Sequence, residues 1–338
     1  MSFDKSFSSL EVYISFVRDA IASEVLTSVN DTDLIRRMIA YHMGLDASNS
    51  NDHITGKHIR PLLTLLCADG SGGSWRLAKS LSVAVELVHN FSLIHDDIQD
   101  ESILRRGRDT VWHKWGAAQA INAGDALFAL SHLIVEKDEN LSVECRLEAL
   151  HIIDDACLSL ISGQTLDLEF EDLDSISIEQ YLNMIGGKTG ALIGAATELG
   201  ALFSGVSKEH QRNYREFGYQ LGIAYQVRDD MLGIWGEVEK TGKMVGDDFH
   251  SRKKTLPIVM GLERSDKLRR MYNQANSDHL VFEDVVQILE ETDVVEDIKH
   301  FEFNEVEKTL SKLSNACPRG YAGQALDDLV RNLLGRSY

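Results

Sequence analysis

Residues 77–100 read LAKSLSVAVELVHNFSLIHDDIQD, and this stretch decides the fold class. Its apolar residues recur at steps of three and four positions, which is the period of one face of an α-helix. Further apolar residues fill the positions between them, so we expect a helix that is buried nearly all round. The pattern therefore predicts the central helix of a helical domain.

The rest of the chain repeats the helical period between polar or Gly-rich breaks. No segment alternates with period two for long enough to predict a strand, and the chain has only three prolines. No repeat, low-complexity tract or linker divides the 338 residues. We therefore expect one all-α domain over residues 1–338, with roughly ten helices or more. The breaks are expected at 44–56, 69–75, 136–141, 171–177, 204–210, 236–256 and 275–280.

Composition excludes several classes of partner. The net charge of −19 disfavours binding to nucleic acid or to anionic lipid, because both are polyanions. The four cysteines show no CxxC spacing and are typical of reduced thiols in a cytoplasmic protein. The sequence contains no apolar signal core and no run of eighteen apolar residues. We therefore expect neither secretion nor a membrane span.

Two aspartate clusters are candidates for a metal site. Asp96 and Asp100 lie four residues apart on one face of the central helix, and Asp97 flanks them. The second cluster contains Asp229 and Asp230. Carboxylates are hard oxygen ligands that suit Mg²⁺ bound to a diphosphate. The alternative is a solvated acidic helix end, but ionised groups inside so apolar a helix are costly unless they are paired or bound to metal.

Basic residues lie where a diphosphate would need them, although each one taken singly is more often a surface charge. Gly187-Lys188-Thr189 also suggests a P-loop, but position 182 is Leu where that motif requires Gly, so we reject it. The candidate cations are Lys57, Arg60, Arg105, Arg106, Lys188, Lys243, Arg252, Lys253 and Lys254.

Eight segments in order resemble the trans-isoprenyl diphosphate synthases, or polyprenyl synthetases, and geranylgeranyl diphosphate synthases in particular. Any one segment is a weak pattern, whereas all eight in the expected order are specific. The segments are GKHIRP (56–61), ELVHNFSLIHDDIQDESILRRG (86–107), AINAGDAL (120–127), GQTLDLE (163–169), GGKTGAL (186–192), YQVRDD (225–230), TGKMVGDD (241–248) and KKTLP (253–257).

This resemblance implies the isoprenoid synthase fold, with helices around a deep central apolar cavity. It also implies head-to-tail condensation of isopentenyl diphosphate with an allylic diphosphate. A Mg²⁺ cluster, about three ions per active site, would be held by Asp96, Asp100 and Asp229, with Asp97 beside them. The departing diphosphate would accept the proton, and the enzyme would be a homodimer. The residues implied around the allylic diphosphate are Arg105, Lys188, Thr189, Gln226, Lys243 and Lys253. Those implied around isopentenyl diphosphate are Lys57, Arg60, His89 and Arg106.

Two other functions fit the sequence less well, and three positions depart from the family pattern. A class I terpene cyclase would have no use for the second diphosphate site, and a non-catalytic partner subunit would typically have lost one aspartate motif. Position 233 is Gly where many relatives carry a third aspartate, which predicts less redundancy rather than loss of metal. His58 stands where arginine is common, and Arg252 where glycine often precedes the lysine.

Phe91 bears on product length. It lies five residues before Asp96, and the first aspartate motif has no two-residue insertion. By the resemblance, a bulky residue at that position favours a geranylgeranyl (C20) product. Farnesyl (C15) and geranylfarnesyl (C25) products remain open, because residues of other helices also form the cavity floor.

Overall fold

The computed structural model describes residues 3–28, 34–46, 58–236, 252–274 and 281–334. Within these ranges the chain forms fifteen α-helices and one short β-hairpin, so the predicted all-α fold is confirmed. The helices are α1 (Phe3–Ser28), α2 (Leu34–His42), α3 (Ile59–Gly70), α4 (Lys79–Gln99), α5 (Val111–Trp115), α6 (Ala117–Glu136), α7 (Val143–Glu171), α8 (Ile178–Ile185), α9 (Ala191–Phe203), α10 (Lys208–Trp235), α11 (Leu256–Arg264), α12 (Asp266–Gln274), α13 (Phe282–Glu290), α14 (Val294–Ala316) and α15 (Gly320–Leu334).

The hairpin pairs β1 (Leu104–Arg105) with β2 (Arg108–Asp109) in antiparallel register. Sequence analysis predicted no strand here, because two residues per strand are too few to show a period of two. The hairpin turn includes Arg106 and Gly107, both of which have positive φ angles. It therefore reverses the chain directly after the first aspartate cluster and presents two successive arginines beside it.

Helix α4 is the central helix, as predicted. It follows a 3₁₀ turn at Trp75–Ala78 and packs mainly against α6, and also against α3 and α9. Within the described ranges, Trp75–Gln99 is the one stretch long and apolar enough to cross a membrane, by length and composition only. Inside the protein, however, 72% of its most apolar 18-residue window is buried, which is the environment of a core helix.

The predicted breaks fall close to the observed helix ends. Helix α6 ends at Glu136 and α7 begins at Val143, after Ser142, whose side chain caps the backbone N–H of Cys145. Helix α8 begins after Ser177, which forms a capping box with Gln180. These serines satisfy backbone N–H groups that a helix leaves open at its first turn. Residues 47–56 and 237–251, which make up most of two further predicted breaks, and the whole break at 275–280 lie outside the described residues.

Two apolar clusters share helix α10. The larger one joins α1–α4, α6, α7, α9 and α15, and it includes Phe217 and Leu221 from the first half of α10. The smaller one joins α8 and α11–α14, and it includes Val227 and Met231 from the second half. Helix α10 carries the second aspartate cluster, so that cluster lies where the two apolar clusters meet.

Candidate active site

The first aspartate cluster occupies the last turn of α4. Asp97 is buried, with 1% of its surface exposed, and accepts a hydrogen bond from Arg105 Nε at 2.7 Å. The same guanidinium lies 3.4 Å from Asp96 Oδ2 through Nη2. Burial raises the pKa of Asp97 to about 6, against the opposing effect of Arg105. The side chain of Asp97 therefore faces inward and fixes Arg105.

Two lysines from distant parts of the chain face these aspartates. Lys188 Nζ donates to Asp167 Oδ2 at 2.5 Å and lies 3.5 Å from Asp96 Oδ1. Lys253 Nζ donates to Asp100 Oδ2 at 2.5 Å and lies 3.9 Å from Asp167 Oδ2. Burial disfavours the charged form of both lysines, but the surrounding carboxylates outweigh it and raise both pKa values. Both lysines are therefore cations at neutral pH.

Asp167 is a residue whose role sequence analysis did not assign. It lies on α7, is 5% exposed, and stands between the two ammonium groups. Gln164, one turn earlier on α7, donates to Gln99 Oε1 at 3.0 Å and so contacts the end of α4. The sequence analysis uses the segment GQTLDLE only for its order in the chain. The signal in the sequence is the spacing of Gln164 and Asp167, three residues apart on one face of a helix.

The carboxylate oxygens of this cluster fit a divalent cation. Asp96 Oδ1, Asp97 Oδ2 and Asp100 Oδ1 are buried without a hydrogen-bond partner among the described residues. Burial and the repulsion of Asp96 raise the pKa of Asp100, because both disfavour its ionised form. A nearby cation would stabilise that ionised form. No three His, Cys, Asp or Glu side chains in the described part of the chain converge on one point. Mg²⁺ commonly takes one or two carboxylates and completes its shell with substrate phosphates and water.

The second cluster divides into an exposed and a buried aspartate. Asp229 is exposed on α10. Asp230 is buried and accepts three hydrogen bonds, from Tyr181 Oη at 2.7 Å, Leu256 N at 2.9 Å and Gln226 Nε2 at 2.8 Å. Asp230 therefore joins α8, α10 and the start of α11, whereas the side chain of Asp229 is exposed.

A single turn of π-helix, Gly186–Gly190, joins α8 to α9 and contacts both aspartate helices through its side chains. Its Lys188 contacts Asp96 of α4, and its Thr189 Oγ1 donates to Gln226 Oε1 of α10 at 2.9 Å. The turn lies close to α7, because a Cβ added at Gly163 would stand 2.1 Å from the backbone nitrogen of Lys188. Single π turns inside α-helices are common at functional sites. Here the turn places two successive polar side chains toward different helices.

A second basic group surrounds the buried Glu86 of α4. Arg60, His89 and Arg106 each interact electrostatically with this carboxylate. Burial and the charge of Arg60 lower the pKa of His89 well below its usual value, so His89 is neutral near pH 7. Burial also lowers the pKa of Arg60 and of Arg106.

His58 is a further member of this group that sequence analysis noted only as a departure. Its Nδ1 lies 3.0 Å from Glu86 Oε1, and its backbone has a positive φ of 45°. The Asn90 amide donates to the same Oε1 at 3.2 Å. Burial raises the pKa of Glu86, but the nearby basic groups, His58 first among them, outweigh this effect. The pKa of Glu86 is therefore lowered to about 2. Glu86 is therefore the ionised centre of the basic group.

The remaining candidates fall in three places. Arg252 donates to the backbone carbonyl of Tyr272 at 3.0 Å, and Lys254 donates to that of Glu171 at 3.3 Å. Lys57 and Lys243 lie outside the described residues. Phe91 is buried on α4, with its ring centroid 5.3 Å from that of Phe128 on α6 and 5.3 Å from that of His95. Phe128 is thus a second aromatic residue at the position predicted to limit product length.

Comparison with known proteins agrees with this geometry. The model of the polyprenyl synthetase family matches residues 45–289. The chain is 41% identical over 227 residues to a (2E,6E)-farnesyl diphosphate synthase of Mycobacterium tuberculosis. The aligned region covers 67% of this chain and 62% of that protein. It is 40% identical over 243 residues to a geranylgeranyl diphosphate synthase of the same species, covering 70% of this chain and 68% of the relative.

The fold has close counterparts among solved structures. The crystal structure of geranylgeranyl pyrophosphate synthetase from Pyrococcus horikoshii superposes with a TM-score of 0.87 at 28% sequence identity, and the match covers 100% of both chains. The isoprenoid synthase fold predicted from the sequence is therefore confirmed. The match extends over α1–α15, including helices outside the range of the family model.

Proposed function

The chain belongs to the polyprenyl synthetase family, and on that premise we propose that it is a trans-prenyltransferase that joins isopentenyl diphosphate head-to-tail to an allylic diphosphate. The observation that carries the proposal is the arrangement of Lys188 and Lys253 against the aspartates of α4. Such an arrangement offers cations to a diphosphate and carboxylates to its metal ions. Three buried carboxylate oxygens have no hydrogen-bond partner in the described part of the chain, and a network of surface ion pairs does not explain them.

The allylic diphosphate would lie between α4 and the π turn. Lys188, Lys253 and Arg105 would hold its oxygens, and Thr189 and Gln226 would orient it by hydrogen bonds. Asp96, Asp100 and Asp229 would hold the Mg²⁺ cluster, which when bound supplies positive charge that favours departure of the diphosphate. Asp97 and Asp167 would act indirectly, because they fix Arg105 and the two lysines. Lys243 is proposed for the same diphosphate from its motif alone.

Isopentenyl diphosphate would bind at the basic group around Glu86. Arg60 and Arg106 provide the charge, and neutral His89 can donate one hydrogen bond without adding to their mutual repulsion. Lys57 joins this group from its motif. The two diphosphates would then approach from opposite sides of the α4 C-terminal turn, so the double bond of one faces the allylic carbon of the other. The departing diphosphate would take up the proton.

The product proposed is geranylgeranyl diphosphate (C20). Its support is the bulky Phe91 on α4, one turn and a half before Asp96, packed against Phe128. Relatives of nearly equal similarity are named farnesyl and geranylgeranyl diphosphate synthases. The C15 and C25 products therefore stay as alternatives, and similarity alone does not choose among them.

Incubation with labelled isopentenyl diphosphate, Mg²⁺ and an allylic primer tests the proposal. We expect primers of five, ten and fifteen carbons to be extended to one main product, identified by chromatography after dephosphorylation. A cyclic hydrocarbon formed without consumption of isopentenyl diphosphate would instead indicate a cyclase. No turnover with any primer would indicate a non-catalytic subunit.

We also propose a homodimer in the cytoplasm. Helix α7 carries a stripe of exposed apolar residues at steps that keep them on one face, and we call it the α7 stripe: Val143, Leu147, Leu158 and Ile161, each between 48% and 65% exposed. The apolar segment 120–130 of α6 is also proposed for the interface: five of its residues are buried, and Ile121 and Ala129 are its exposed apolar residues. Exposed apolar stripes of this kind mark protein interfaces.

A further inference from the structure

Lys254 is a lysine buried inside the protein, directly after a lysine that faces the site. It is 1% exposed, whereas lysines are rarely buried to this degree unless they are paired. The resemblance assigns Lys253 to the allylic diphosphate and assigns no role to Lys254. The contacts of Lys254 therefore have to explain its burial.

The ammonium group of Lys254 bridges the end of helix α7 and its own segment of the chain. Nζ donates to the backbone carbonyls of Glu171 and Arg252, at 3.3 Å each. Glu171 is the last residue of α7, so its carbonyl is one of those that a helix leaves without an intrahelical partner. A cation at this end also interacts favourably with the helix dipole. Lys254 therefore caps α7 from a segment that lies 83 residues further along the chain.

The surroundings keep this ammonium group charged near neutral pH. Burial first, and then the charge of Arg252, lower the pKa of Lys254 to about 8. The carboxylates of Glu171, Asp172 and Asp174 oppose this shift. The charged form therefore predominates at pH 7, and its hydrogen bonds to the two carbonyls are charge-assisted.

Successive side chains of this segment reach different elements. Arg252 donates to the backbone carbonyl of Tyr272 at 3.0 Å, and the ammonium group of Lys254 lies 5.3 Å from the centroid of the Tyr272 ring. Both residues therefore contact α12. Lys253, between them, donates instead to Asp100 Oδ2 at the end of α4, at 2.5 Å. The contacts of Arg252 and Lys254 thus fix the backbone from which Lys253 extends.

Lys253 and Lys254 contact the same turn of α7. Lys253 Nζ lies 3.9 Å from Asp167 Oδ2, and Lys254 Nζ lies 3.3 Å from the carbonyl oxygen of Glu171. Asp167 and Glu171 are four residues, about one helical turn, apart. A displacement of the segment relative to the end of α7 would therefore move Lys253 relative to Asp167.

We propose that Lys254 is a positioning residue for the allylic diphosphate and that it acts through Lys253. By holding the segment against the end of α7, it keeps the ammonium group of Lys253 between Asp100 and Asp167. This assignment rests on the proposed function and deepens it, because it adds a buried residue behind the site. The alternative is an ordinary cap, which stabilises α7 and has no effect on ligand binding.

Lys254→Met tests the proposal, because Met is also unbranched but has no donor. Calorimetry with Mg²⁺ and a ten-carbon allylic diphosphate, without isopentenyl diphosphate, gives the Kd for the primer. We expect this Kd to rise roughly fivefold or more, on the order of the loss of one hydrogen bond. KM for isopentenyl diphosphate should stay within about twofold, because Lys253 is assigned to the other diphosphate. Lys254→Arg keeps a charged donor and should stay within about threefold of the wild-type Kd.

The double variant Lys253→Met/Lys254→Met shows whether Lys254 acts through Lys253. If it does, adding Lys254→Met to Lys253→Met should change the primer Kd by less than about twofold. Independent residues would instead give the same factor with Lys253 present or replaced. Equal factors would overturn the proposal, as would an unchanged primer Kd in Lys254→Met or equal losses for both substrates.

Lys267→Met is the matched control, because Lys267 is an exposed lysine on α12. It should leave the primer Kd and the melting temperature nearly unchanged, and a rise of the Kd equal to that in Lys254→Met would refute the assignment. A lower melting temperature of Lys254→Met with an unaltered primer Kd would show a cap only. If Lys254→Met does not fold, Lys254→Gln, whose amide is one bond shorter than the lysine side chain, is judged by the same criteria.

Failure of this assignment can be told from failure of the proposed function. A wild-type protein that extends primers, with a Lys254→Met variant of unaltered primer Kd, would refute the assignment and keep the function. A wild-type protein whose affinity for the primer depends on Lys254, but which extends no primer, would do the reverse. A wild-type protein that binds no allylic diphosphate would refute both.

Discussion

Asp96 and Asp230 both belong to the aspartate clusters, but the contacts of their side chains differ. Asp96 has a buried oxygen without a hydrogen-bond partner among the described residues, whereas Asp230 accepts three hydrogen bonds within the protein. We expect Asp96→Ala to lower turnover on the order of a thousandfold with little loss of stability, at about 1.4 kcal/mol per decade of rate. Asp230→Ala should be milder in turnover than Asp229→Ala, but it should lower the melting temperature.

Turnover at saturating substrate and thermal melting of the three variants separate these effects. Near-normal turnover by Asp96→Ala would remove the basis of the proposed function. Removing Asp230 leaves the Tyr181 hydroxyl and the Leu256 N–H unsatisfied, at about 1–3 kcal/mol each. An Asp230→Ala protein as stable as wild type would show that these hydrogen bonds contribute little.

Arg60 and Lys188 are assigned to different diphosphates. Arg60 belongs to the basic group around Glu86, and Lys188 contacts Asp96 and Asp167. Arg60→Ala should therefore raise KM mainly for isopentenyl diphosphate, and Lys188→Ala should impair use of the allylic primer. Steady-state kinetics with each substrate varied in turn give the two KM values for each variant. Equal effects of Arg60→Ala on both KM values, in a protein that stays folded, would refute the division.

Phe91 is expected to limit product length. It lies about 7.5 Å along the helix axis before Asp96, and one helical turn of about 5.4 Å approximates one isoprene unit. Phe91→Ala should lengthen the main product by roughly one isoprene unit or more, with the first condensation largely intact. Phe128, packed against Phe91, should act in the same direction when replaced by Ala.

Product chromatography and thermal melting on the same Phe91→Ala protein distinguish a role in product length from a role in helix packing. If Phe91 serves only helix packing, the substitution should cost about 3–5 kcal/mol of unfolding free energy and leave the products unchanged. A destabilised protein with unaltered products would thus contradict its assignment as the cavity floor.

At the scale of elements, the π turn packs closely against α7 at Gly163. A methyl group at Gly163 would meet backbone atoms of Gly187 and Lys188, which cannot move aside as a flexible side chain could. Gly163→Ala should therefore shift the turn and displace Lys188 from Asp96. We expect turnover to fall tenfold or more, with a loss of about 1–3 kcal/mol in unfolding free energy from overpacking.

Ser162→Ala is the control for Gly163→Ala, because Ser162 is the exposed neighbour on α7. Activity and chemical denaturation of the two variants are compared. Ser162→Ala should resemble wild type in both. A fully active Gly163→Ala protein would mean that the position of the turn does not govern the site.

Helix positions could be predicted because apolar period, glycines and capping serines are local signals. The helix expected between the breaks at 44–56 and 69–75 is observed as Ile59–Gly70. The π turn could not be predicted, since GGKTG carries no periodic signal that distinguishes it from an α-helical turn or a loop. The single domain over residues 1–338 stays a prediction.

The site residues that the sequence analysis assigned belong to motifs. The site residues that it did not assign come together through contacts between distant segments. Asp167 meets Lys188 and Lys253 only once α7, the π turn and the segment before α11 have folded together. His42 of α2 likewise lines one small pocket with Arg105 and Arg106 of the hairpin. These contacts cannot be predicted from one sequence, because each residue taken alone is an ordinary polar residue.

At the scale of the whole molecule, the α7 stripe is the surface expected to form the homodimer. Its largest members, Leu147 and Leu158, are each 65% exposed. We expect a dimer of the 37.8 kDa chain in sedimentation at micromolar concentration. Burying such a stripe contributes about 25 cal/mol per Å² of apolar area. Leu158→Glu should therefore shift the equilibrium toward monomer.

Val12→Glu is the control for Leu158→Glu, because Val12 is an exposed apolar residue on α1, away from the α7 stripe. It should leave the sedimentation coefficient unchanged. A fully active monomer in the wild type would refute the dimer, and a dimer that survives Leu158→Glu would place the interface on another surface.

The pairing of Lys188 and Lys253 with Asp96, Asp100 and Asp167 couples two ligands thermodynamically. A diphosphate alone would take the ammonium groups and leave the carboxylates facing new negative charge, and magnesium alone would compete with those ammonium groups. Bound together, each ligand supplies the counter-charge that the other displaces. Magnesium and diphosphate should therefore show positive heterotropic cooperativity, each raising the affinity for the other by the same factor.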